Sequence, residues 1–153
     1  MKIIKRIPVT REGFENLHRE LKKLQDDRPQ AVKNLAEARG MGDLSENGLY
    51  TAAKSRLRSI DSQLFRLDIQ IKLADIIEAT NNGIATIDKK VKVTDGTNER
   101  VFHLVGDYEA SPMEGKISQN SPLGRALMGK KVGETAKFEA PKGNISYKIL
   151  SIS

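Results

Sequence analysis

Between Phe14 and Ala74 the apolar residues keep the spacing of an α-helix. Phe14, Leu17, Leu21, Leu24, Ala31, Leu35 and Ala38 follow one another in steps of three and four, with Arg28 at the one polar break. Tyr50, Ala53, Leu57, Ile60, Leu64, Leu67, Ile71 and Ala74 repeat the pattern. Each series has the form of a coiled-coil seam, in which apolar residues recur every 3.5 positions on average. The two series are also mirror images. Leu35 with Ala53, Ala31 with Leu57, Leu24 with Leu64, Leu21 with Leu67 and Leu17 with Ile71 have numbers that sum to 88. An antiparallel hairpin folded about position 44 therefore gives each seam residue a partner. Arms of about 30 residues would each reach about 45 Å, at roughly 1.5 Å per residue. Thr10 is read as the N-cap of the first arm and Gly40 as its terminator. Pro29 lies inside that arm and is expected to kink it, because it removes a backbone bond and crowds the preceding turn.

After Asn81-Asn82-Gly83 the period changes from helical to alternating. Val91–Thr94 and Arg100–Val105 read as strands around an Asp95-Gly96 turn, and Ala136–Glu139 and Ile145–Leu150 as strands around Pro141–Asn144. Pro122–Met128 suits a short helix, with Ser121 as N-cap and Gly129 as terminator. The class is α+β: a hairpin domain over residues 1–80, its tip near 40–48, then a small twisted sheet with one helix over 81–153.

Composition narrows the chemistry. The 153 residues contain no Cys, which excludes disulfides, thiolate metal sites and cysteine nucleophiles. His18 and His103 are too few for most metal sites without carboxylate help. Lys and Arg number 26 against 20 Asp and Glu, for a net charge of +6. That excess suits a phosphate-bearing partner. No apolar run is long enough for a signal peptide or a membrane span. A soluble, cytoplasmic protein with no membrane partner is the expectation.

The bend between the arms reads Gly40-Met41-Gly42-Asp43-Leu44-Ser45-Glu46-Asn47-Gly48. Asp43 with Glu46 three residues on has the spacing of a capping box for the second arm. The same spacing leaves two carboxylates within a turn of each other at the most exposed point of the hairpin. Carboxylate oxygens are the hard ligands Mg²⁺ prefers, yet two cannot enclose it, so a metal here needs further ligands from a partner. Spacing alone leaves cap and metal roles both open.

The run Ala36-Glu37-Ala38-Arg39, then Gly42-Asp43-Leu44-Ser45-Glu46-Asn47 with Tyr50 and Ala52-Ala53-Lys54, resembles the tip signature of the GreA/GreB family of bacterial transcript cleavage factors. Val9-Thr10-Arg11-Glu12-Gly13, Arg28-Pro29, Val105-Gly106, Glu109-Ala110, Ile117-Ser118 and Ser121-Pro122-Leu123-Gly124 extend the likeness over nearly the whole chain. The resemblance implies an N-terminal coiled coil and an FKBP-like C-terminal domain that grips the rim of the RNA polymerase secondary channel. It implies that the coiled coil enters the channel and stimulates the polymerase's own cleavage of backtracked RNA, the factor itself not being the enzyme. Asp43 and Glu46 would then help hold a Mg²⁺ shared with the polymerase, not bound stably by the isolated chain, with Ser45, Asn47 and Tyr50 supporting them. Arg39, Lys54, Arg56 and Arg58 would meet the nascent RNA 3′ end, although a solvated helix face is the usual fate of such charges. The factor is expected to act as a monomer. Two positions depart from the family pattern: Leu49 stands where GreA commonly has an acid, and Gly48 where it has Ala.

Three other readings remain. A channel-binding inhibitor would share the shape but differ in its tip acids. A prolyl isomerase would need an aromatic-lined pocket in the second domain, whose Phe102, Tyr108, Phe138 and Tyr147 are read instead as core. A plain scaffold coiled coil would not bind polymerase. His18 is read as a flank residue and His103 as structural.

Overall fold

The computed structural model describes residues 4–42, 47–80 and 82–153. The elements in chain order are β1 (Ile7–Val9), α1 (Arg11–Arg39), α2 (Gly48–Leu73), β2 (Ala74–Ile76), β3 (Lys90–Thr94), β4 (Glu99–Val105), β5 (Lys116–Ser118), α3 (Pro122–Leu127), β6 (Thr135–Ala140) and β7 (Gly143–Ile152). Asp107–Glu109 and Pro112–Glu114 add two 3₁₀ turns between β4 and β5. By packing, the chain forms two units, one of Phe14–Leu73 and one of residues 1–13 with Ala74–Ser153.

The hairpin unit follows the seam. Every seam residue of α1 from Phe14 to Ala38 is buried or half-buried except Arg28, and so is every one of α2 from Tyr50 to Ile71. Ile60 at 0% and Leu67 at 7% are the large side chains most deeply placed. Seam burial is partial elsewhere because two helices alone cannot enclose a side chain on all sides. Arg28, the polar break in the first seam, forms a forked ion pair with Asp61 of α2: Nε donates to Oδ1 at 2.6 Å and Nη2 to Oδ2 at 3.3 Å. The Arg28 hydrogen bond holds the Asp61 carboxyl below its ordinary range. Helix α1 is continuous through Pro29.

The second unit is built on a five-stranded sheet in the order β5-β4-β3-β7-β6. All neighbours are antiparallel except β4 and β5. Val91, Val93, Leu104 and Ile149 project from its inner face into a core closed by Leu127 of α3. Ser121 caps α3, its Oγ accepting from Gly124 N at 3.0 Å, and Pro122 takes the first helical position. Phe102 packs edge-on against Tyr147, and Phe138 stacks on the same ring. Tyr108 corrects the expectation of four core aromatics. It lies on a 3₁₀ turn between β4 and β5 and is 62% exposed.

Ile7–Val9 and Ala74–Ile76 join this unit through a pairing the period did not announce. β1 runs parallel to β2, in register Ile7 to Ala74 and Val9 to Ile76. The start of α1 is then fixed by a carboxylate from the β4–β5 connection. Glu109 accepts from Thr10 N at 3.0 Å, from the Thr10 hydroxyl and from Gly106 N at 3.2 Å. Thr10 Oγ1 in turn caps α1 by accepting from Gly13 N at 3.0 Å. A Cβ on Gly13 would lie 1.9 Å from Glu109 Oε1, so only glycine leaves room for this clasp. A carboxylate at a helix N-terminus is also favoured by the helix dipole.

His103, on β4, pairs with Asp88. Its Nε2 lies 2.8 Å from Oδ1 of Asp88. Asp88 has φ of 66°, a left-handed conformation that Asp tolerates better than most residues, and its N–H donates to Leu104 O at 2.7 Å.

Candidate functional site

The bend is assembled from both helix ends. At the close of α1, Gly40 N donates to Glu37 O and Met41 N to Ala38 O, which tightens the last turn. The left-handed residue that lets the chain leave the helix is Gly42, with φ of 102°, two positions beyond the expected terminator Gly40.

Helix α2 begins at Gly48, and its cap is Asn47. Asn47 Oδ1 accepts from Leu49 N at 3.1 Å and Tyr50 N at 3.2 Å, while its Nδ2 donates to Ala38 O at 2.9 Å. One amide thus caps the second helix and bonds a carbonyl in the last turn of the first. This corrects the reading of Asp43 as the cap of the second arm. Asn is as good a cap as Asp, and it stands where the helix starts. Asp43, Ser45 and Glu46 lie outside the described residues, and the capping box expected of Asp43 and Glu46 lies there with them.

Beside the bend three expected residues come together. The half-buried ring of Tyr50 has Arg39 Cζ 6.0 Å and Lys54 Nζ 5.9 Å from its centroid. At these distances the ring's negative face attracts both cations. Arg39 comes from the end of α1 and Lys54 from the start of α2, so the ring gathers two charges that the sequence places fifteen residues apart. Arg58, one turn beyond Lys54, continues the same face. Arg39, Lys54 and Arg58 line one groove of about 540 Å³. Arg56 does not join them. It lines a different groove with Ala52, Ala53, Met41 and Leu49. Two residues along a helix are rotated roughly 200° from each other, which divides the expected set of four cations into three and one.

Among the described residues no group of three or more His, Asp or Glu is placed to hold a metal. Asp43 and Glu46 offer carboxylate oxygens of the kind Mg²⁺ prefers, and two alone cannot enclose the ion. In the sheet unit, a groove of about 400 Å³ is lined by Glu12, Lys90, His103, Glu114 and Lys116. Its walls are charged. The buried aromatics Phe102 and Tyr147 fill the core instead of lining such a pocket.

The chain thus combines a long α-helical hairpin, with cations gathered beside its bend, and a five-stranded sheet unit. The family model described as transcription elongation factor, N-terminal, matches residues 7–76, and that of GreA/GreB, C-terminal, matches residues 80–153. The chain belongs to the GreA/GreB family of transcription elongation factors. It is 42% identical over 153 residues to transcription elongation factor GreA of Thermodesulfovibrio yellowstonii, covering 97% of each chain. It is 41% identical over 152 residues to GreA of Syntrophobacter fumaroxidans, covering 96% of this chain and 97% of that one. Among solved structures, GreA factor homolog 1 of Thermus thermophilus aligns at 25% identity with a TM-score of 0.46, over 97% of this chain and 99% of that one. No described helix is long and apolar enough to cross a membrane.

Proposed function

We propose that this chain is a cytoplasmic GreA-type factor that binds bacterial RNA polymerase, enters its secondary channel and stimulates hydrolysis of backtracked RNA by the polymerase's own active centre. The observation that carries the reading is the convergence of Arg39 and Lys54 on Tyr50, directly beside the bend that bears Asp43 and Glu46. A phosphodiester backbone and a divalent cation are the two chemistries such a bend can serve together. Cations hold the RNA phosphates, and the acids supply oxygen ligands.

The roles divide by residue. Arg39 and Lys54 orient the 3′ end of the transcript, and Tyr50 keeps both charges on one side. Asn47 ties the end of α1 to the start of α2. Asp43 and Glu46 would hold Mg²⁺ in part, the other ligands being the polymerase's. Bound there, the ion would activate water and neutralise charge in a two-metal hydrolysis. The sheet unit grips the outside of the polymerase.

The test is to add the protein to halted elongation complexes and look for short 3′ RNA fragments. Fragments appearing only with the factor present support the reading. Binding with slowed synthesis and no fragments would make the chain a channel inhibitor. Proline isomerisation by the full chain would move the function to the sheet unit.

A further inference from the structure

Phe65 is the second aromatic on the cationic face. It is 67% exposed, although the neighbouring seam residues Leu64 and Leu67 are half-buried and buried. It lines the same groove as Arg39, Lys54 and Arg58. On α2 the residues Lys54, Arg58 and Phe65 are separated by four and seven positions, which is one stripe of a helix. An exposed aromatic standing alone needs no explanation. One that ends a row of three cations along a groove has the composition of a single-strand binding track, where a basic groove follows the backbone and a ring stacks a base.

Asp61, the acid between Arg58 and Phe65 on this stripe, does not oppose that use. Asp61 is held by the forked pair with Arg28, so its charge is matched before any phosphate arrives. The geometry points to Phe65 as a stacking platform for a base of the extruded RNA, and we propose that α2 carries the strand from Tyr50 past Arg58 to this ring. The inference rests on the cleavage reading above and adds a subsite to it. From Lys54 to Phe65 the helix rises roughly 16 Å, at about 1.5 Å per residue. That distance is about five nucleotides at the roughly 3.4 Å spacing of a stacked strand. RNA backtracked by one or two nucleotides stops short of the ring, whereas a longer extrusion reaches it. The ligand is therefore single-stranded RNA, recognised by backbone charge and base face and not by sequence.

The experiment compares complexes backtracked by about two nucleotides with complexes backtracked by about ten, a length that exceeds the estimated span. Cleavage rates are measured with the parent protein, with Phe65→Gln and with Phe65→Tyr. The expected result is that Phe65→Gln lowers the long-to-short rate ratio roughly tenfold, the scale of losing one stacked base, and that Phe65→Tyr restores it. A 4-thiouridine placed about five nucleotides from the tip-bound end should crosslink to α2 in the parent and lose that crosslink in Phe65→Gln. Equal loss on both lengths would mean that Phe65 touches the polymerase wall, and would overturn the proposal. So would an unchanged ratio, or a lowered urea midpoint placing the ring in the fold's packing. A parent protein that cleaves neither complex would sink the cleavage reading and this inference with it, whereas a cleaving parent with an unchanged ratio in Phe65→Gln sinks this inference alone.

Discussion

The two units bury their apolar residues in different ways. In the sheet unit, ten residues form one enclosed cluster, among them Val91, Val93, Leu104, Leu127 and Ile149 at 0% exposure. Among the described residues of the hairpin unit, the buried apolar side chains are Ala31, Ala38, Ile60 and Leu67, and two of these are alanines. The rest of its seam is half-buried. The difference follows from shape: a sheet covered by a helix encloses side chains on several sides, whereas two helices enclose only the strip between them. The hairpin therefore spends most of its surface on solvent, and that surface carries the candidate chemistry. The sheet unit holds the cooperative core.

A paired truncation should expose this contrast most strongly. Leu104→Ala removes a fully buried side chain from the sheet core and should cost about 4 kcal/mol, within the range for buried leucines. Leu64→Ala removes a half-buried seam residue and should cost about 2 kcal/mol, the low end of the same range. Urea unfolding of the full chain, followed by circular dichroism, measures both. Equal costs would show that the seam is as enclosed as the sheet core.

The helix starts offer a smaller contrast. Helix α1 is capped by Thr10 together with Glu109, a carboxylate ninety-nine residues away, whereas α2 is capped by its own Asn47. Glu109→Ala leaves two backbone N–H groups without their acceptor and should cost about 2 kcal/mol. Asn47→Ala removes a cap on an exposed bend and should cost about 1 kcal/mol. The same urea titration ranks them, and a larger cost for Asn47 would move the anchoring from the sheet unit to the bend.

How much of this was legible in the sequence depended on how local each signal was. The seam was readable in full, since steps of three and four are a property of each helix by itself. The mirror about position 44 followed from it; it pairs Arg28 with Ile60, and the ion pair forms with Asp61, one position farther along α2. The turn at Asp95-Gly96 was equally local: Asp95 Oδ1 accepts from Thr97 N and Asn98 N. What escaped was non-local or brief. β1 and β2 have three residues each and are 67 positions apart, so no alternation marked them. Glu109 was visible only as part of a resemblance, and its duty became plain once Gly13 and Thr10 were brought beside it. At the bend, Asp43 and Asn47 are both good caps, and only the position of the helix start decides between them. The separation of Arg56 from Arg58 was available from the helical period, which sets them on different faces.

The smallest expected effect concerns pH. Asp61 has its carboxyl held low by the Arg28 hydrogen bond, so its contribution is present above the ordinary Asp range and is lost as pH falls through the lowered value. Asp107, held low by the Ser118 hydroxyl and by Asn120, behaves in the same direction in the sheet unit. Arg28→Met should therefore lower the thermal midpoint slightly at neutral pH and leave it unchanged in strong acid, where Asp61 is protonated in both proteins. A deficit that persists in acid would show that Arg28 acts by packing along the seam and not by charge.

On the proposed cleavage reading the acids at the bend act in chemistry and not in capping, and a charge-neutral double substitution separates the two roles. Asp43→Asn with Glu46→Gln keeps side chains of similar size and hydrogen-bonding capacity but removes both negative charges that Mg²⁺ needs. With Asn47 serving as the cap, the doubly substituted protein should unfold at the same urea concentration as the parent. Added to halted elongation complexes, it should compete with the parent for polymerase and release almost no 3′ fragments, and raised Mg²⁺ should recover part of the activity by mass action. Fragments released at the parent rate would contradict the assignment of Asp43 and Glu46.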